Sequence, residues 1–314
     1  MRELHVGDVA DPVVALTNLS RTFGPKKALN DVTFAVSRGC VFGLVGENGA
    51  GKSTLIKHLL GLWRAETGSV KVFGLDPVSE PTAVLGRIGY LSEQPDLPGW
   101  MRVAELLRYT QAFYPRWDTT YAEQLLEQFG LDVDARIKTL SKGQRARLGL
   151  IAAEAHRPDL LILDEPSSGL DPIVRRDILE AIIRTVTDEG RTVIFSSHLL
   201  DEVERVSDHV AMLHKGTLKL CAPLDDIKAH HRRMLLRFDA AQAEPPNVPG
   251  AIRVDGAGRE WTVICDAARI HGPAMAQNLG ATIVEDCPAS LDEIFVAHAG
   301  AVPIAPTTQL RAVN

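Results

Sequence analysis

"GENGAGKST", from Gly46 to Thr54, sets glycines, a lysine and two hydroxyls in the spacing G-x-x-x-x-G-K-[ST], between an apolar run and a helical one, the context in which that spacing carries chemistry. Gly49 and Gly51 let the backbone come close to phosphate oxygens, Lys52 reaches β- and γ-phosphates, and the Ser53 hydroxyl suits Mg²⁺. Gly46, Asn48 and Thr54 complete the candidate nucleotide-binding set. Further on, "LLILDEP" ends a buried run on two carboxylates. Asp164 is placed to hold the magnesium and Glu165 to polarise a water, as carboxylates beside a phosphate loop can; the plain alternative is that Glu165 caps the next turn. "TLSKGQ", residues 139–144, is also open to two readings. Ser141 and Gln144 have capping-box spacing, and a helix start beside a lysine is equally an anion site.

These groups need elements to hold them. "VVALTNLS", "VTFAV" and "CVFGLVG" read as strands leading into the glycine-rich turn, and "STLIKHLLGL" as a helix ending near Gly61. "GSVKVFG" and "RIGYLSEQ" add strands. A mostly helical block runs from about Asp96 to His156, with Leu148, Ile151, Ala152 and Ala155 on one face of the helix after Ser141. "DLLILDEP", "RTVIFSSH" and "HVAMLHKG" are continuous apolar runs, the pattern of strands covered on both faces of a parallel sheet. Helices over about Pro172–Glu189 and Leu199–Val206 join them, a βαβ alternation that predicts an α/β fold. Past about Leu224 the texture changes to "HHRRMLLRF" and a proline-rich "EPPNVPG". Short strands at "AIRV", "EWTVIC" and "ATIVED", with helices near Arg269–Leu279 and Leu291–His298, predict a small α+β domain over 225–300. A flexible tail, 301–314, is expected to follow.

The chain has 314 residues, 45% of them hydrophobic, and a net charge of -6. That acidic balance weighs against nucleic acid, whose binding relies on clustered Lys and Arg, so none is expected. "HHRRMLLR" and the set Lys138, Lys142, Arg145 and Arg147 read instead as solvated or phosphate-facing charge. No apolar run approaches the roughly 18 residues of a membrane span, and the N-terminus does not read as a signal peptide. A cytoplasmic location is therefore expected. Cys40, Cys221, Cys265 and Cys287 lie far apart, which argues against a disulfide framework or a zinc knuckle. His198 and Glu202, at i,i+4, lack the further ligands that zinc needs.

Taken together, Gly46–Thr54, Gln94, "LSKGQ" at 140–144, "LILDEP" at 161–166, "SGLD" at 168–171 and His198 occur in an order and spacing that resembles the ATP-binding cassette of ABC transporters. The resemblance spans about residues 13–223. It implies a phosphate-loop NTPase cassette over 13–224 with a mostly parallel sheet, an antiparallel β edge and an inserted helical subdomain at about 96–156. It further implies ATP and Mg²⁺ as ligands. In it Phe23 stacks on adenine, Gln94 senses Mg²⁺ and the membrane partner, and Asp171 links protomers. His198 contacts the γ-phosphate, while Ser141, Gly143 and Gln144 present the signature helix to phosphate. This chain departs from the commoner pattern by having Lys142 where glycine is usual and Phe23 where tyrosine is. Lys142 can turn outward while the backbone N–H still faces phosphate.

By that resemblance the protein is the ATP-hydrolysing subunit of an exporter. It works as a homodimer, or a heterodimer with a second cassette, on the inner face of the membrane beside a separately encoded membrane-spanning permease. The ending "ASLDEIFVAHAG" is similar to those of drug- and antibiotic-type bacterial exporters. The aromatic stretch 94–118, with Trp100, Tyr109, Phe113, Tyr114 and Trp117, is either core of the helical block or a docking surface centred near Pro98–Met101. The alternative from another class is a soluble cassette ATPase acting on ribosomes or DNA; the tandem cassettes or long coiled-coil insertion typical of those are not visible. A small-molecule kinase leaves "LSKGQ" without a purpose.

Overall fold

The N-terminal edge is antiparallel in this computed structural model, which describes residues 11–187, 190–267 and 272–300. Strand β1 (Val14–Phe23) turns at Gly24 into β2 (Lys26–Val36), β3 (Val41–Val45) follows, and α1 (Lys52–Leu59) rises from the glycine-rich loop. Strand β4 (Thr67–Val72) then pairs with β1, giving a sheet in the order β2-β1-β4. A short α2 (Pro81–Leu85), not expected from the sequence, opens on a proline, which lacks only an N–H that would have had no partner in the helix. Next come β5 (Ile88–Leu91) and the helical block of α3 (Val103–Gln111), α4 (Thr119–Phe129) and α5 (Lys142–Glu154). The βα alternation resumes with β6 (Leu160–Asp164), α6 (Pro172–Thr187), β7 (Thr192–Ser197), α7 (Leu200–Val206) and β8 (His209–His214). Strand β9 (Thr217–Pro223) folds back on β8 through Lys215 and Gly216, at φ 47° and 78°, the left-handed pair that a two-residue hairpin turn uses.

The main sheet runs β5-β6-β7-β3-β8-β9, parallel from β5 to β8. Every residue of β3, β6 and β7 is buried, as expected of strands covered on both faces. Strand β3 has β7 on one side and β8 on the other, so the crevice beyond its carboxyl end lies at a topological switch point, where open α/β sheets bind ligands. Phe34 of β2 stacks on Phe42 of β3 at 5.2 Å between centroids, and Leu16, Leu29, Leu55, Ile56 and Leu59 fill the same core. Each such side chain contributes about 1.5–3 kcal/mol, more than the about 1 kcal/mol of a typical hydrogen bond. The phosphate loop is thus anchored chiefly by the apolar layer beneath it.

Within the helical block, Asp118 caps α4 by accepting from Tyr121 N at 2.9 Å, and Gly130 at φ 61° ends that helix. Gly149 lets α5 lie close to β5, since a Cβ there would stand 2.7 Å from Leu91 Cδ1.

The described residues through Cys221 form one unit and those from Ala222 a second. The second contains α8 (Leu224–His230), β10 (His231–Gln242), β11 (Ala251–Asp266), α9 (Gly272–Leu279), β12 (Ala281–Pro288) and α10 (Leu291–Ala299), with an antiparallel sheet in the order β11-β10-β12. "AIRV" and "EWTVIC" belong to one long strand rather than two. "HHRRMLLRF", whose sequence pattern predicts no element, supplies the central strand. Met234, Leu236 and Phe238 face the core, while Arg232, Arg233 and Arg237 pair with Asp286, Glu285 and Glu260. Two adjacent leucines mask that alternation in the sequence. The helix expected from Arg269 is seen from Gly272; residues 268–271, the end of the helix expected to reach Glu189, and the tail 301–314 lie outside the described residues. None of the four cysteines is in a disulfide.

Candidate functional site

Helix α1 begins without a side-chain cap. Gly51 precedes it at φ 114°, and its first turn holds no acidic residue, so its first N–H groups remain open to an anion. The loop is pressed against its surroundings: a Cβ on Gly46 would stand 2.4 Å from Leu213 O, and one on Gly51 2.6 Å from Ala28 O. Lys52, only 5% exposed, donates to Gly46 O at 2.5 Å and Glu47 O at 3.3 Å, and its Nζ stands 2.9 Å from Glu165 Oε1. A cavity of about 390 Å³ opens here, lined among others by Phe23, Asn48, Gly49, Lys52, Ser53, Thr54, Glu93 and Glu165, and it falls in the size range of small-ligand sites.

Glu165 sits at φ 50°, a left-handed conformation that costs a non-glycine residue about 1–3 kcal/mol. What holds it there is Ser196, whose carbonyl and Oγ both accept from Glu165 N, at 3.2 and 3.0 Å. The same hydroxyl donates to Asp164 Oδ1 at 2.6 Å, so one serine fixes the Glu165 backbone and the Asp164 carboxylate together. Glu165 Oε2 accepts from His198 Nδ1 at 2.6 Å. Its carboxylate is therefore flanked by an ammonium and an imidazole at the floor of the cavity. Ser196 is not among the residues that the motifs single out. Its signal in the sequence is a pair of serines closing the otherwise apolar run "TVIFSSH".

Gln94 stands apart from Lys52. It does not line the cavity that Lys52 lines but a second one of about 620 Å³, beside Pro95, Leu140, Lys142, Arg145 and Ser168; Glu93 lines both. Strand β5 ends at Leu91, and both residues lie in the bend that follows it. Ser168 Oγ donates to Glu93 Oε1 at 3.3 Å.

Ser141 forms both halves of the capping box, with Gln144 N donating to Ser141 Oγ at 3.1 Å and Ser141 N to Gln144 Oε1 at 2.9 Å. Gly143 packs under α6, where a Cβ would meet Val174 Cγ2 at 2.7 Å. Lys142, rather than pointing away, donates to Ser168 O at 2.7 Å. Neither Ser141, Gly143 nor Gln144 lines the cavity of Lys52. Asp171 caps α6, accepting from Ile173 N at 3.0 Å and Val174 N at 3.1 Å. Phe23, 39% exposed, meets Trp63 edge-on at 5.0 Å and carries the Arg21 guanidinium 4.9 Å from its ring centre. The aromatic stretch divides. Tyr114 stacks on His156 at 3.8 Å as part of the packing, whereas Trp100, Tyr109 and Phe113 are 69%, 55% and 63% exposed.

Among the described residues no helix is long and apolar enough to cross a membrane. The family pattern described as "ABC transporter" matches residues 29–168. Over 314 aligned positions, covering 91% of this chain and 92% of the relative, the sequence is 32% identical to the daunorubicin/doxorubicin resistance ATP-binding protein DrrA of Streptomyces peucetius. A solved ATP binding subunit of an ABC transporter superposes with a TM-score of 0.64 at 32% identity, over 69% of this chain and 92% of that one. A bacterial ABC transporter cassette solved as a dimer shares the fold, with a TM-score of 0.61 at 21% identity over 67% of this chain and 98% of that one. With an uncapped helix over a glycine loop, a buried lysine and paired carboxylates behind it, the chain belongs to the ATP-binding proteins of ABC transporters and is an ATPase.

Proposed function

We propose that two copies of this chain, residues 13–224 of each forming the cassette, close head to tail on two ATP molecules. Each signature helix meets the γ-phosphate held by the other copy. One observation carries the reading: Ser141, Gly143 and Gln144 do not line the cavity that Lys52 and Ser53 line, so a phosphate engaging both sets must lie between two chains. A two-fold axis then makes both sites at once. The dimeric cassette with the same fold supports it. In each site the α1 N-terminus and Lys52 take the β- and γ-phosphates, Phe23 stacks on the base and Glu165 polarises the attacking water. His198 orients Glu165 and approaches the γ-phosphate, and Asp171 stands where the protomers meet.

Hard oxygen donors suit Mg²⁺, and the structure offers the Ser53 hydroxyl and Glu93 carboxylate on the cavity, with Asp164 fixed behind them by Ser196. These residues fit the ion. When bound it neutralises charge on the phosphates. Glu93 lines the cavity of Lys52, and Gln94, beside it, senses Mg²⁺ and the membrane partner.

Closure drives a separately encoded membrane-spanning permease, with the cassettes on the inner face of the membrane. Export is supported by the likeness to a drug-resistance protein. Exposed Trp100, Tyr109 and Phe113, near the larger cavity's helical block, form the face toward the permease. Residues 225–300 are an accessory domain.

The test mixes two inactive variants, Ser141→Arg and Lys52→Ala. A hybrid dimer has one site lacking both elements and one with both intact, so ATPase activity is expected to reappear on mixing. Mixtures that stay inactive although hybrids form by size exclusion would count against sharing.

A further inference from the structure

We infer that Glu202, on α7, is a positioning residue that sets Glu165 and His198 relative to one another. Its carboxylate is 1% exposed. Oε2 accepts from Ser167 Oγ at 2.5 Å and lies 3.5 Å from Ser197 Oγ, while Oε1 stands 3.0 Å from Arg175 Nε on α6. Ser167 comes two residues after Glu165, and Ser197 immediately precedes His198. One buried group therefore grips the segment behind each member of the Glu165–His198 contact. Ser197 Oγ also accepts from Leu199 N at 3.0 Å, which fixes the turn that carries His198.

A buried charge is retained only where it is paired and hydrogen-bonded. Here burial pushes the Glu202 carboxyl above its ordinary range, against the stabilising hydrogen bond from Ser167 and the charge of Arg175. An apolar residue would fill this space without that cost, yet it would leave both serine hydroxyls without their acceptor. His198 turns to Glu165 and Glu202 turns to Ser167, so the i,i+4 pair acts on two different segments and shares no ligand. Glu202 contacts neither Glu165 nor His198 directly; it acts through Ser167 and Ser197, which stand beside them in the chain.

The inference rests on the reading of Glu165 as the water-polarising base. It is tested on the full chain by steady-state hydrolysis together with titration of a fluorescent ATP analogue. Glu202→Ala is expected to lower kcat by about 10²-fold, the scale of a small misplacement of catalytic groups, with KM and analogue affinity unchanged. Glu202→Gln keeps an acceptor for Ser167 and is expected to recover much of that loss. Ser167→Ala removes only the 2.5 Å link and is expected to lower kcat with KM unchanged, which tests the positioning role even if Glu202→Ala does not fold. A fall in melting temperature with kcat intact, in Ser167→Ala or in a folded Glu202→Ala, overturns the inference. Glu165→Gln is the reference. If it turns over at the parent rate, the reading of Glu165 itself fails. If it is inactive while Glu202→Ala is fast, only the positioning role fails.

Discussion

Helices α1 and α5 both start beside a lysine and a glycine, and both face the question of what satisfies their first N–H groups. At α1 no side chain does so, and Gly51 at φ 114° brings the backbone to the cavity. At α5 the side chains of Ser141 and Gln144 close a reciprocal box, leaving only part of the first turn's donors for anything else. A complete anion seat and a partial one follow from that difference. The first can hold phosphate with its own lysine; the second can only add to a phosphate already held elsewhere. On the reading proposed above, the partial seat of a second copy is brought to the phosphate that the complete one holds.

The contrast between the two helices breaks first at α1. Gly51→Val places a side chain where even a Cβ lies 2.6 Å from Ala28 O at a φ that valine does not adopt, so nucleotide binding should be lost outright in a titration with the ATP analogue. Ser141→Arg should do the converse, leaving binding almost normal while turnover disappears. Normal hydrolysis by that variant would reduce α5 to a plain capped helix. A smaller effect sharpens the contrast: Ser141→Ala should cost about 1 kcal/mol of stability, the usual loss for an N-cap, read from denaturant midpoints. Gly51 has no comparable cap to lose. Smallest of all, Trp100→Ala should leave fold and ATP binding intact and weaken only co-purification with a membrane subunit. Equal recovery of that subunit would argue against the exposed aromatic face as the contact.

Much of the cassette is legible in the sequence because its signals are local. The glycine loop, the buried runs ending in Asp164 and Ser197, and the Ser141–Gln144 box each depend on residues within a few positions of one another, and the structure has them as strand, turn and cap. Less is legible in the second unit, where the two leucines of "MLLRF" hide a strand whose outer face is held by ion pairs of Arg233 and Arg237 with residues more than twenty positions away. Helix α2, only five residues long, and strand β9 also go unannounced by the sequence pattern; pairing partners or packing decide such elements more than propensity does.

For this protein the sequence by itself determined that a phosphate loop, a carboxylate pair and a capped helix exist, because spacing along a chain sets turn and cap geometry. Only the tertiary structure decided that Glu93 lines the cavity of Lys52 and Gln94 a second one. It also decided that Ser196 ties the Glu165 backbone to the Asp164 carboxylate, and that Lys142 turns to Ser168. It decided too that the signature residues lie off the cavity of their own Lys52. Each of these depends on which strand lies beside which and which way a side chain leaves it, and a one-residue step reverses that direction without changing the composition of the segment.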